Sequence, residues 1–322
     1  MKPYFQSAVP ILLAALCLPA VAVAQAYPSK PVRVLIMFPP GGSTDVTGRI
    51  VFSKMPELMG QPFVIENRGG AAGTIGSEFV MRSPPDGYTV MVQSTTHIAN
   101  AHLYKNLPYD VLKDFIGVTT LARQVGVLVV HPSLPVKSIK ELVTLAQRRP
   151  GQIIYGASGN GSYAHMAMAL FVSMTATDML PVQYKGAGPG NIALIGGETQ
   201  VMLTTLGSIG THIKAGQVRA LGVSSDTRAI QFPDIPAIAE SVPGYEFTGW
   251  VGCFLPAGTP KAIVDALNLA LKKALEHSDV ASRLTELTLD PMYMTPEQFA
   301  QRLREDYDKY AKVVKISGAK IE

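Results

Sequence analysis

Three short runs of small residues, each lying between an apolar stretch and an amphipathic one, are the parts of this chain best suited to chemistry. Gly41-Gly42-Ser43-Thr44-Asp45 follows the apolar run 32–38, Ser158-Gly159-Asn160-Gly161-Ser162 follows 153–157, and Gly186-Ala187-Gly188-Pro189-Gly190 follows 182–185. Glycine lets the main chain approach a ligand closely, and the hydroxyls of Ser43, Thr44, Ser158 and Ser162 add donors. The first N–H groups of a helix have no partner inside it, so a helix opening at such a loop offers them to a carboxylate or phosphate. Asp45 is placed to cap the first of these helices. Ser94-Thr95-Thr96, after 89–93, is a fourth candidate, with Thr95 at its centre. The first junction alone is also what an ordinary proline–glycine turn requires. Repetition at the ends of expected parallel strands, where ligands of α/β folds bind, favours an anion cradle.

Catalytic patterns fail where they can be checked. Gly159-Asn160-Gly161-Ser162-Tyr163-Ala164 fits a dinucleotide fingerprint, but the strand that should end in an acid ends in Gln183, Tyr184 and Lys185. Gly156-Ala157-Ser158-Gly159-Asn160 lacks the last glycine of a nucleophile elbow, and no phosphate-loop motif occurs. The six histidines are dispersed, without H-E-x-x-H or cysteine partners. We therefore expect no catalytic residue, no metal and no cofactor. An exported hydrolase using Ser158 or Ser162 with His165 lacks an acidic third member. His165, in the first turn after Ser162, either donates to a ligand oxygen or bonds a neighbouring backbone carbonyl. Lys185 is the cation beside these loops, in a position that equally suits a solvated strand end. Trp250 reads as core or hinge packing rather than a ligand-stacking ring.

The elements that must hold these loops alternate, apolar run then amphipathic run, as in an α/β protein with largely parallel sheets. Strands are expected at 32–38, 63–66, 89–93, 126–131, 153–157, 182–185, 199–203, 218–224 and 249–255. Helices are expected at 46–55, 73–82, 139–148, 162–174, 191–196, 260–276 and 296–317. Strands 127–131 and 251–255 both exit through a double-proline turn into a helix. We read them as two crossings between domains: residues 27–126 with 250–322 form domain one, and 127–249 form domain two. A cleft between two such lobes traps small molecules.

The N-terminus carries Lys2, an apolar stretch over 8–24 and the small-x-small sites Ala22-Val23-Ala24 and Ala24-Gln25-Ala26. This is a secretory signal peptide, residues 1–26, with cleavage expected after Ala26. Leu16 before Cys17 argues against a lipid anchor. Of two cysteines only Cys253 then remains, which excludes an internal disulfide. The formal charge is +4, and removal of Lys2 with the leader leaves about +3, too little and too scattered for nucleic acid.

Taken in order, seven pieces resemble the tripartite tricarboxylate transporter substrate-binding proteins, or Bug receptors, of Gram-negative bacteria. They are Tyr27-Pro28-Ser29-Lys30-Pro31, Phe38-Pro39-Pro40-Gly41-Gly42-Ser43-Thr44-Asp45, Glu66-Asn67-Arg68-Gly69-Gly70-Ala71-Ala72-Gly73, Pro85-Asp86-Gly87-Tyr88-Thr89, Tyr184-Lys185-Gly186, Pro233-Asp234-Ile235-Pro236 and Pro256-Ala257-Gly258-Thr259-Pro260. The resemblance implies a periplasmic, monomeric, non-catalytic receptor of type II periplasmic binding protein fold. It implies delivery of a small organic carboxylate to a pair of membrane permease subunits; a sensor presenting the same ligand to a membrane signalling protein is the alternative. Carried over by position, ligand contacts fall on Phe38, Gly41, Gly42, Ser43, Thr44 and Asp45, on Ser158, Gly159, Ser162 and His165, and on Tyr184 and Lys185. Tyr163 departs from the small residue expected there, and either narrows the pocket or stacks on an aromatic ligand.

Overall fold

In the first strand successive side chains point to opposite faces, yet both faces are apolar. Val34 and Ile36 enter one buried cluster, while Leu35 and the following Met37 enter another. A strand of that kind must be covered on both sides, which parallel sheets achieve with helices. The computed structural model describes residues 27–229, 231–287 and 289–317. The expected signal peptide, 1–26, lies outside the described residues, as does the end of the chain from 318.

The first part of the chain runs β1 (Val32–Ile36), α1 (Ser43–Phe52), α2 (Met55–Met59), β2 (Phe63–Asn67), α3 (Thr74–Met81), β3 (Thr89–Ser94), α4 (Thr96–Leu103) and β4 (Phe115–Val130). The middle runs α5 (Ile139–Arg148), β5 (Ile153–Ala157), α6 (Tyr163–Met174), β6 (Met179–Gln183), α7 (Ala187–Ile195), β7 (Val201–Thr205), α8 (Leu206–Lys214) and β8 (Arg219–Val223). The chain returns through β9 (Thr248–Pro256), α9 (Lys261–Glu276), α10 (Ser278–Glu286), β10 (Asp290–Pro291) and α11 (Pro296–Ser317). The strand order is β2-β1-β3-β9-β4-β7-β5-β6, with β8 and β10 also paired to β4.

Strand β4 joins the two halves of this sheet. Residues Phe115 to Val125 pair antiparallel with β9, and Gly126 to Val130 pair with β7 and β8. The expected strand at 126–131 is therefore the second half of a strand of 16 residues. Its first half escapes the sequence pattern because Thr119, Thr120 and Gln124 are buried polar residues and the register shifts twice there. The strand at 251–255, expected as the return crossing, lies between β3 and β4, and just before it Phe247 N–H donates to Ser224 O. Both double-proline exits are present, into α5 and α9. The helix expected at 46–55 starts earlier, at Ser43, and ends at Phe52. Helices α2, α4, α8 and α10 were not expected.

Close packing fixes where α1 points. A side chain at Gly48 would sit 2.9 Å from Ile36 Cδ1, so α1 lies tight on β1 with its first turn at the strand's exit. Helix α4 is fixed by its first turn, where His97 is fully buried between Phe115 and Phe254 and its Nε2 faces Val111 O at 3.1 Å. Burial pulls the imidazole pKa down to about 4. Its neutral form therefore stabilises the fold fully above the unfolded-state value near 6.5, and that contribution is lost as pH falls toward 4. We expect His97→Phe to remove roughly 3 kcal/mol of the acid-induced loss of stability. Urea midpoints at pH 7 and pH 4 check this; equal slopes for the two proteins would contradict it.

Candidate functional site

The strand exits meet at one place. A cavity of about 60 Å³ is lined by Gly42, Ser43 and Thr44 of the first junction, Ser94 and Thr96 of the β3 exit, and Ser158, Ser162 and Tyr163 of the β5 exit. Gly186 to Pro189 and the pair Thr204 and Thr205 complete it, with Phe38, Pro39 and Pro40 as a wall. Among the described residues, five helices open here: α1, α4, α6, α7 and α8. Gly42, Gly186 and Thr205 at the heads of α1, α7 and α8 make no side-chain cap, so those helix ends are left to another acceptor. Each helix brings about half a positive charge to its N-terminus. None of the lining residues is an acid, a base or a histidine.

Hydroxyls supplement the backbone donors. Gln124 Nε2 donates to Ser43 Oγ at 2.7 Å, so the serine proton is left to point elsewhere, and Gln124 Oε1 is buried without a protein partner. Ser94 Oγ donates to Thr96 Oγ1 at 3.0 Å, again freeing a threonine proton. The hydroxyls of Thr204 and Thr205 are turned away, both toward Ser208 Oγ. Gly186 stands at φ +123, which a side chain rarely adopts, and a β-carbon there would lie 3.5 Å from Pro39 Cγ, so the two loops approach each other beside the cavity.

The expected site residues divide into three groups. Phe38, Gly42, Ser43, Thr44, Ser158 and Ser162 line the cavity. Gly159, Tyr184 and Lys185 line a second, adjoining chamber. Gly41, Asp45, Thr95 and His165 stand behind the lining. Asp45 is not the helix cap, which is Gly42; it sits in the first turn, where its carboxylate accepts Gly41 N–H at 3.0 Å, Arg49 Nε at 2.9 Å and Asn67 Nδ2 at 2.7 Å. With both oxygens occupied it shapes the loop rather than facing the cavity. Thr95 takes its N–H to Trp250 O and caps α4 through its carbonyl. His165 accepts Gly161 N–H through its Nδ1 at 3.0 Å, and burial lowers its pKa. The ring orders the loop ahead of α6.

Tyr163 lines the cavity. Its hydroxyl donates to Phe247 O and lies 2.9 Å from Ser224 Oγ, which ties the head of α6 to the segment just before β9. Trp250 is fully buried, its Nε1 donating to Asp306 Oδ2 at 2.7 Å, and is core. Gln124, Thr204 and Thr205 were missed because nothing near them in sequence marks a loop; Ser43 lies 81 positions from Gln124.

Residues 47–319 match the model of the tripartite tricarboxylate transporter family receptor. The chain belongs to that family. Protein BugT of Bordetella pertussis is 32% identical over 97% of each chain. Two solved structures from Rhodopseudomonas palustris are similar throughout. Rpa4515 with adipate is 33% identical with TM-score 0.88, covering 92% of this chain and all of that one. MatC with bound malate is 30% identical with TM-score 0.85, covering 89% of this chain and all of that one. The fold of this tripartite transporter receptor is the two-lobed periplasmic binding fold, and its relatives are solute-binding receptors, not enzymes. No helix among the described residues is long and apolar enough to cross a membrane.

Proposed function

We propose that this receptor captures a small organic carboxylate in the periplasm and delivers it to the membrane subunits of a tripartite transporter, acting as a monomer. The observation that carries the reading is the convergence of five helix N-termini on a cavity with no acid, base or histidine in its lining. An anion is the complement of that surface: it can accept the unpartnered N–H groups and the protons of Ser43 and Thr96. Micromolar capture needs about 8 kcal/mol. Each charge-assisted hydrogen bond supplies roughly 1.5 to 3 kcal/mol, so four or five suffice without an ion pair. Adipate and malate bound to relatives support the carboxylate class. The lobes would be 27–126 with 250–322, and 127–249, closing over the acid.

The expected result is a rise in thermal stability of the mature protein with an organic acid and none with the matching amide. Ligand at 100 times its dissociation constant adds about 2.7 kcal/mol of stability. Deletion of the gene should abolish uptake of the same acid. A panel of mono-, di- and tricarboxylates, amino acids and aromatic acids that leaves the melting curve unmoved would refute the reading.

A further inference from the structure

The cavity that receives the acid group is small, and what adjoins it is not. A space of about 60 Å³ is four to six times the ~10–15 Å³ that one water needs, room for an acid group. Beyond Phe38, Pro39, Ser158 and Gly186, which line both spaces, lies an outer chamber of about 510 Å³. That volume is within the range of pockets that enclose whole small molecules.

The two chambers differ in chemistry. The outer one is walled on the first lobe by Met37, Phe38, Ala71, Ala72 and Tyr104, and on the second by Tyr184. Its charged lining residue is Lys185, which is exposed. A wall of methionine, aromatic rings and alanines gains from covering apolar surface, whereas an additional carboxylate placed there gives up its hydration for one solvated cation.

We propose that the outer chamber selects the body of the ligand: a monocarboxylate with an apolar or aromatic tail, its acid group in the inner cavity and its tail against Tyr104, Ala72 and Tyr184. This rests on the carboxylate reading of the inner cavity. The tail, not the acid, distinguishes one ligand from another, and acids crowded with carboxylates bind poorly.

Calorimetric titration of the mature protein with four probes separates the two claims: propionate, 3-phenylpropionate, 3-phenylpropionamide and citrate. We expect 3-phenylpropionate to bind at least ~10-fold tighter than either propionate or citrate, about 1.4 kcal/mol per factor of ten. Tyr104→Ala with Tyr184→Ala should erase most of that gain, bringing 3-phenylpropionate down to the affinity of propionate in the same variant. Circular dichroism confirms that the double variant is folded, and Tyr184→Ala alone, at a half-exposed position, is the fallback if it is not. Citrate or propionate binding as tightly as 3-phenylpropionate overturns the proposal and leaves the carboxylate reading intact. The amide binding as tightly as the acid overturns the carboxylate reading, and this proposal with it.

Discussion

Replacing Ser162 with aspartate is expected to leave the protein folded and to abolish capture of an organic acid. Ser162 heads α6, is 2% exposed and accepts His165 N–H through its hydroxyl at 3.3 Å. Aspartate is as good a helix cap as serine, and its charge suits the positive end of the helix. In this position, however, the new carboxylate occupies the wall of the inner cavity and takes the donors meant for the ligand. Loss of two charge-assisted hydrogen bonds, at roughly 1.5 kcal/mol each or more, weakens binding by ~100-fold or more. Ser162→Ala is the control: it forfeits about 1 kcal/mol of capping while leaving the cavity uncharged. Titration calorimetry alongside thermal unfolding reads both quantities. If Ser162→Asp binds the acid as the parent does, the cavity is not where the anion sits.

The largest stability effect is expected at Trp250. Its ring is packed edge-on to Phe299 at 5.0 Å and tilted against Phe254 at 5.9 Å, and its indole N–H and Arg302 Nε share Asp306 Oδ2. Trp250→Ala empties that volume and should cost about 3 to 5 kcal/mol. Trp250→Phe keeps most of the packing but strips Asp306, which is 3% exposed, of one donor, for about 1 to 3 kcal/mol. Denaturant midpoints at unchanged slope give the two numbers, and their order is the test. A Trp250→Ala protein within 1 kcal/mol of the parent would mean that the hinge core is looser than its packing implies.

What could be read from sequence was what is local. The strand exits at Gly41, Ser158 and Gly186 announce themselves because a tight turn from strand to helix needs small residues within a few positions. Helix α8 opens on the cavity with no such announcement: Thr205 ends β7 and Leu206 starts the helix directly. Its glycines, Gly207 and Gly210, weaken any helical pattern, and Gly207 is there because Leu289 packs 2.4 Å from where its side chain would begin. Gln124 was invisible because its partner is brought to it by the fold. Asp45 was recognised as important and given the wrong task, since a carboxylate three residues past the cap reaches back to the loop as readily as a true cap reaches forward. The same locality explains β4: its second half shows a pure apolar run, while the first half is buried by strands distant in sequence.

One feature of the inner cavity bears on how the ligand leaves. A receptor whose grip depends on a histidine or a lysine can be loosened by a proton or by competing salt. Here the grip is made of peptide dipoles and hydroxyls, which carry no net charge to neutralise and no proton to gain in the ordinary range. On the proposed reading, the receptor's own grip then offers no titrating side chain through which a proton could release the acid. If the acid is held as proposed, unloading would be mechanical: the close approach of Pro39 and Gly186 would open and divide the five helix ends between the two lobes. The timing of transport then belongs to whatever prises the lobes apart.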